Sequence, residues 1–162
     1  MDFQERLQKA IHRGLAKGVE QSEQAKAKRL SKEEIRSLYT KYRLDLSEHI
    51  EACMKHLPDH FPGFVLERLY GELGWGAAVR RDDSLIGSDG RRSNVYSRLE
   101  VAVKSITEHH VLDLQAKGTI RNRELFRRHH FQAIAEVDLA KFREMVDVWI
   151  VEFAELYAAA TD

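Results

Sequence analysis

Positions 95 to 104 read Val95-Tyr96-Ser97-Arg98-Leu99-Glu100-Val101-Ala102-Val103-Lys104. The large aliphatic residues of this stretch stand at odd positions, and most even positions are polar, which is the period of a half-buried β-strand. Segments 111–121 and 124–134 continue the alternation, and residues 77–81 predict a short strand before it. The pattern therefore predicts an antiparallel sheet of three to four strands.

Helices flank this predicted sheet on both sides. Asp138 can cap a C-terminal helix whose large apolar side chains recur at helical spacing over residues 139–157, and we expect it to pack on the sheet. Upstream, Ser31 and Glu34 form a capping-box pattern, and the apolar spacing that follows predicts a helix that Pro58 ends.

The chain between these helices and the sheet gives weaker patterns. Residues 63–73 predict a short third helix, because Leu66, Leu69 and Leu73 lie at helical spacing. Residues 82–93 are rich in Asp, Ser, Gly and Arg and predict a mobile loop.

The first 25 or so residues carry one narrow apolar stripe. Its members recur every four residues and are Phe3, Leu7, Ile11, Leu15 and Val19. A helix with so thin a stripe, weakened by two glycines at up to ~1 kcal/mol each, is marginal without a partner surface. We therefore divide the chain into an amphipathic N-terminal helix and linker at 1–30 and a single two-layer α+β domain at 31–162.

Composition bounds the class of protein. Of 162 residues, 43% are hydrophobic and 32% charged, and Cys53 is the one cysteine, so an internal disulfide is impossible. This indicates a reducing compartment, and the acidic start of the chain differs from a signal peptide, so the expected location is cytoplasmic with no membrane partner. Net charge is zero, yet residues 76–130 hold 11 basic against 7 acidic residues and residues 131–162 hold 2 against 7. The split predicts a basic sheet beside an acidic helix.

Histidine is the residue type that most suggests a metal. Of the eight histidines, two adjacent pairs stand at 109–110 and 129–130. Neighbours in a strand point to opposite faces, and the predicted hairpin holds the two pairs about 20 Å apart. His56 and His60 have a helical ligand spacing, but Pro58 lies between them. We therefore predict no metal and no cofactor, and we expect Cys53 to pack as a small hydrophobe.

Strand register decides the candidate site. A turn at Asn122-Arg123 sets Lys117 opposite Arg128, and pairing of Lys104 with Val111 sets Arg98 opposite Lys117. This predicts a basic row of Arg98, Lys117 and Arg128 on the outer face, with Arg121 nearby, as an anion-binding site. A solvated outer face explains the same residues.

The order helix, three strands, helix resembles that of the small secretion chaperones, which implies a dimeric peptide binder. Our leading hypothesis is a non-enzymatic binding or adaptor protein, homodimeric, whose basic sheet face or sheet edge takes an acidic protein segment. One alternative is binding of nucleic acid or another polyanion through Arg98, Lys117, Arg121 and Arg128. Another is an enzyme that uses His130 with Glu100, which the predicted register places on one face.

Overall fold

The structure, a computed structural model, describes residues 2–27 and 30–160. The elements in chain order are α1 (Phe3–Ala27), α2 (Lys32–Met54), α3 (His56–His60), β1 (Val65–Leu69), β2 (Trp75–Ile86), β3 (Arg92–Val103), β4 (Val111–Ile120), β5 (Arg123–Ala133), a 3₁₀ turn (Ile134–Glu136) and α4 (Leu139–Ala160). They form two layers, an antiparallel sheet and the helices α2 and α4 on one of its faces. The α+β class is confirmed.

The sheet has five strands, not the predicted three to four, and forms a meander in which each strand pairs with the next in the chain. Its central strand is β3, where Val101 lies opposite Ala77 of β2 and Ala116 of β4. All three side chains are buried, because alternate residues of a strand point to the same face and this face lies under α2 and α4. The alternation over residues 95–104 therefore correctly predicts which face of β3 points to the core.

Large side chains from both helices fill the space above the sheet. Leu46 and Ile50 of α2 and Phe142 and Phe153 of α4 are almost fully buried. The ring centroid of Phe153 lies 6.3 Å from that of Phe126 on β5, so α4 packs on the far edge of the sheet. The predicted covering helix is confirmed.

The helix starts follow the local sequence. The amide of Glu34 donates to Ser31 Oγ at 3.1 Å, and the capping box is complete. The amide of Lys141 donates to Asp138 Oδ1 at 3.3 Å at the start of α4. The second helix ends at Met54, before Pro58, which lies instead within the first turn of α3. Proline is tolerated there because the amide it lacks would have no helical acceptor.

Two segments differ from the prediction, and both form β-strand where a helix or a loop was predicted. Residues 65–69 form edge strand β1, in which Leu66 lies opposite Val79 of β2, and no helix forms over 63–73. A short apolar run fits the period of a helix and that of a strand, so the local spacing does not decide between them. Here Gly63 and Gly71, both at positive φ, flank a strand whose pairing with β2 is not encoded in that spacing.

The predicted mobile loop at 82–93 is also wrong, because it is a hairpin. Strand β2 continues to Ile86 and β3 begins at Arg92, with the Gly87 amide donating to the Arg91 carbonyl at 2.8 Å across the turn. Along β2, Arg81 Nε lies 3.0 Å from Asp83 Oδ1 on the same face. Such pairs let a polar sequence continue a strand beyond the core.

The first helix stands apart from this core. It runs for 25 residues, the length that the stripe predicts. Every side chain from Asp2 to Gln21 is exposed, so α1 buries none of them against the rest of the described chain. Positions 28 and 29, in the predicted linker, lie outside the described residues.

Candidate functional site

The predicted basic row is not assembled, because the hairpin between β4 and β5 turns one residue earlier. Arg121 and Asn122 both have positive φ, so they form the two-residue turn, and a bulge at Gly118/Thr119 shifts the register again. Arg128 consequently lies opposite Ala116 and faces the helices, where its Nε donates to Glu152 of α4 at 3.3 Å. A slip of one residue moves a side chain to the other face.

The remaining cations of the predicted row alternate with acids. Arg98 lies opposite Thr119 and forms an ion pair with Glu100, which itself lies opposite Lys117. Lys117 Nζ is 4.0 Å from Glu124 Oε2. On the outer face, these cations therefore lie next to acids with which they pair. Anion binding by Arg98, Lys117 and Arg121 stays a prediction.

The same register separates His130 from Glu100, which lie on opposite faces of the sheet. The His130 ring packs against Phe142, with centroids 4.6 Å apart. Burial, together with the positive charge of Lys141, lowers the pKa of His130. The expectation that His130 and Glu100 share one face is wrong.

The apolar stripe of α1 is exposed along its whole length. The exposed fractions of its five residues are 76% for Phe3, 47% for Leu7, 53% for Ile11, 64% for Leu15 and 60% for Val19. Contiguous apolar surface of this kind marks interaction sites in folded proteins. Beside the stripe runs a row of small residues, Ala10, Gly14 and Gly18, and a Cβ added at either glycine would meet nothing within 4 Å. The helix thus carries a ridge and an empty groove side by side.

A second cluster joins α2 to α4. His49 Nε2 lies 2.8 Å from Asp147 Oδ1, Cys53 Sγ lies 3.6 Å from His49 Nε2, and Cys53 Sγ lies 3.4 Å from Asp147 Oδ1. From the sequence, Cys53 is expected only to pack as a small hydrophobe, and the cluster is not predicted. The one sign of the cluster in the sequence is the spacing of His49 and Cys53, which stand four residues apart on one helix face. Asp147, 94 residues after Cys53, could not have been assigned to it from spacing.

Cys53 itself is held as a thiol. Burial raises its pKa to about 11, and the hydrogen bond to Asp147 and the negative charge of that carboxylate act in the same direction. The expectation that it packs with the hydrophobic core agrees with its position, since it is half-buried and packs against the core cluster.

We expect Cys53 to react slowly with thiol reagents in metal-free buffer. Since its pKa is about 11, its thiolate fraction at pH 8 should be roughly a hundredfold below that of an ordinary cysteine. The rate of alkylation should rise with pH up to about 11. The urea-unfolded chain is the control, and equal rates in the folded and unfolded chains at pH 8 would contradict this assignment.

Comparison of the chain with family models, with curated proteins and with solved structures finds no significant match. In the part of the chain that the structure describes, no helix combines the length and the apolar character needed to cross a bilayer.

Proposed function

We propose that this chain is a non-enzymatic binding or adaptor protein that works as a homodimer, with α1 as the contact between its two copies. The observation that carries the proposal is the exposed stripe, whose five large apolar side chains have no partner surface within the described chain. A helix so polar elsewhere gains its stability by burying that stripe.

The form of the stripe favours a second copy of the same helix. Residues four apart along a helix form a ridge, and ridges of this kind pack into the matching grooves of a partner at about −50°. The groove on α1 is the row of Ala10, Gly14 and Gly18, where two backbones can approach closely. Because one helix carries both ridge and groove, two copies related by a two-fold axis complement each other.

The sheet edge supplies the surface for a further partner. Strand β5 is an edge of the sheet, and its eleven residues include Arg123, Arg127 and Arg128 against the single acid Glu124. Edge strands accept an additional strand through their free backbone groups. Arg127 already pairs with Glu124 and Arg128 with Glu152, so an extended acidic segment would bind the backbone groups of this edge beside Arg123, in keeping with the adaptor role.

The alternatives have less support. Polyanion binding would use an outer face whose cations Arg98, Lys117 and Arg127 each lie beside an acid. An enzyme using His130 and Glu100 would need the two on one face, and they lie on opposite ones.

Substituting Gly14 with leucine tests the dimer contact sharply. Leucine favours helix by more than ~0.5 kcal/mol relative to glycine and adds apolar surface. It also fills the groove, and overpacking of this kind costs about 1 to 3 kcal/mol. We therefore expect Gly14→Leu to raise the dimer dissociation constant about tenfold or more, measured by sedimentation equilibrium.

The matched control places the same side chain on the opposite side of α1. Ala16→Leu, two positions and therefore about 200° round the helix from Gly14, should leave the dissociation constant within about twofold of the wild type. If Gly14→Leu instead strengthens association, the added apolar area matters and the ridge-and-groove contact is wrong. Stronger adsorption of Gly14→Leu to lipid vesicles without any dimer would assign the stripe to a membrane surface.

A further inference from the structure

The cluster between α2 and α4 lies apart from both α1 and the edge of β5. His49 and Cys53 stand one helical turn apart on α2, and Asp147 faces them from α4. A Cys-His-Asp set suggests a nucleophilic triad, but a triad needs the two ring nitrogens of histidine to contact different partners. Here the same atom, His49 Nε2, lies nearest to both Asp147 and Cys53. The three donor atoms therefore converge on one point, and they do not form a proton relay.

The three donor atoms have the spacing of ligands around one ion. A tetrahedral zinc ion, bound at about 2.3 Å to sulfur and about 2.0 Å to nitrogen and oxygen, holds such atoms roughly 3.3 to 3.6 Å apart. Two of the observed separations are 3.6 and 3.4 Å. The third, 2.8 Å between His49 Nε2 and Asp147 Oδ1, is a hydrogen bond that would open by about 0.5 Å as the ion enters.

The chemistry of the donors selects the ion. Magnesium and calcium take oxygen ligands, whereas a thiolate with an imidazole and a carboxylate suits zinc. A zinc ion with one thiolate and one carboxylate is electrically neutral, which suits a half-buried position. We propose that His49, Cys53 and Asp147 bind one zinc ion, with water in the fourth position. On binding, the Cys53 S–H bond breaks, the zinc–sulfur bond forms, and the proton passes to solvent.

The surroundings preorganise the site and leave it accessible. One turn along, Arg143 Nε donates to Asp45 Oδ1 at 3.0 Å, which holds the same two helices together without the ion. The side chain of Asp147 is 55% exposed, so an ion can enter from solvent. Beside Cys53 opens a cleft of about 450 Å³ lined by His56, Leu57 and Ile150 among others, which leaves room for the fourth ligand. Bound zinc would join α2 to α4.

Cobalt and zinc titration of the full chain tests the proposal. Cobalt(II) should bind at one equivalent with a thiolate charge-transfer band in the near ultraviolet, and zinc should displace it. Cys53→Ser and Asp147→Asn should each weaken zinc binding by about a hundredfold or more. His109→Gln, an exposed histidine on the connection between β3 and β4, is the matched control and should bind as the wild type does.

Thermal unfolding gives a second measurement. One equivalent of zinc should raise the Tm of the wild type and leave that of Cys53→Ser unchanged, because only the intact site joins the two helices. Asp147 is exposed, so Asp147→Asn should fold normally, and its circular dichroism spectrum checks this. Cobalt bound without the thiolate band, or zinc affinity unchanged in Asp147→Asn, would overturn the proposal.

Discussion

Replacing Leu7 and Ile11 together by glutamate should convert the proposed dimer to single chains of 18.8 kDa. The two side chains are adjacent on the stripe, and the proposed contact buries both. Burying an unpaired carboxylate costs several kcal/mol, so two of them in each copy should raise the dissociation constant at least a thousandfold. Helical circular dichroism should fall at the same time, because α1 without its partner is only marginally stable.

The matched control adds the same charges at the same spacing beside the stripe. Gln8→Glu with His12→Glu should keep the dimer mass and the helical signal. Both doubly substituted chains should keep the near-ultraviolet signal and the Tm of the domain, because every side chain described on α1, from Phe3 to Gln21, is exposed. If Leu7→Glu with Ile11→Glu lowered the Tm of the domain without changing the mass, α1 would be a part of the domain and not a dimer contact.

Replacing Phe153 with alanine should destabilise the domain most among single core changes. The side chain is fully buried on α4, and its ring lies 6.3 Å from both Phe64 and Phe126 and 6.1 Å from Tyr157 between centroids. Removing it leaves a cavity between α4, Phe64 just before β1, and Phe126 on β5. A loss of about 3 to 5 kcal/mol is expected, with a fall in Tm of roughly 10 °C.

Val151, on the solvent side of α4 and 65% exposed, provides the control. Val151→Ala should change the free energy of unfolding by no more than about 0.5 kcal/mol in urea denaturation. A cost below about 1 kcal/mol for Phe153→Ala would mean that α4 does not cover the sheet as described.

The sequence predicts those elements whose pattern is long and regular. The alternation over residues 95–104 identifies β3 and its inward face, and the apolar spacing after Asp138 identifies α4. Ser31 and Glu34 locate the start of α2 to the residue. In each case a local pattern and the tertiary environment agree, so no distant contact is needed to decide the structure.

The prediction fails where contacts between residues distant in the sequence decide the secondary structure or the strand register. Residues 65–69 are a strand because β2 lies beside them, and nothing within five residues encodes that pairing. The register of β5 depends on the backbone conformation of Arg121 and Asn122 and on one bulge, which together move Arg128 and His130 to the helix face. Because the candidate row depended entirely on register, a shift of one residue removed it.

The two proposed sites differ in how far the sequence alone predicts them. The stripe of α1 could be read directly, since its four-residue period needs no knowledge of the rest of the chain. Of the cluster of His49, Cys53 and Asp147, only the spacing of His49 and Cys53 can be recognised in the sequence, because packing of α4 on α2 brings Asp147 to the pair. A histidine and a cysteine four residues apart on a helix merit a search for a third donor.

Sedimentation equilibrium of the unmodified full chain tests the central claim most directly. Over the micromolar range at moderate salt, self-association through α1 predicts a mass of twice the chain mass of 18.8 kDa, falling toward one chain only on strong dilution. A mass of 18.8 kDa at every concentration, with the helical signal of α1 intact, would contradict the account.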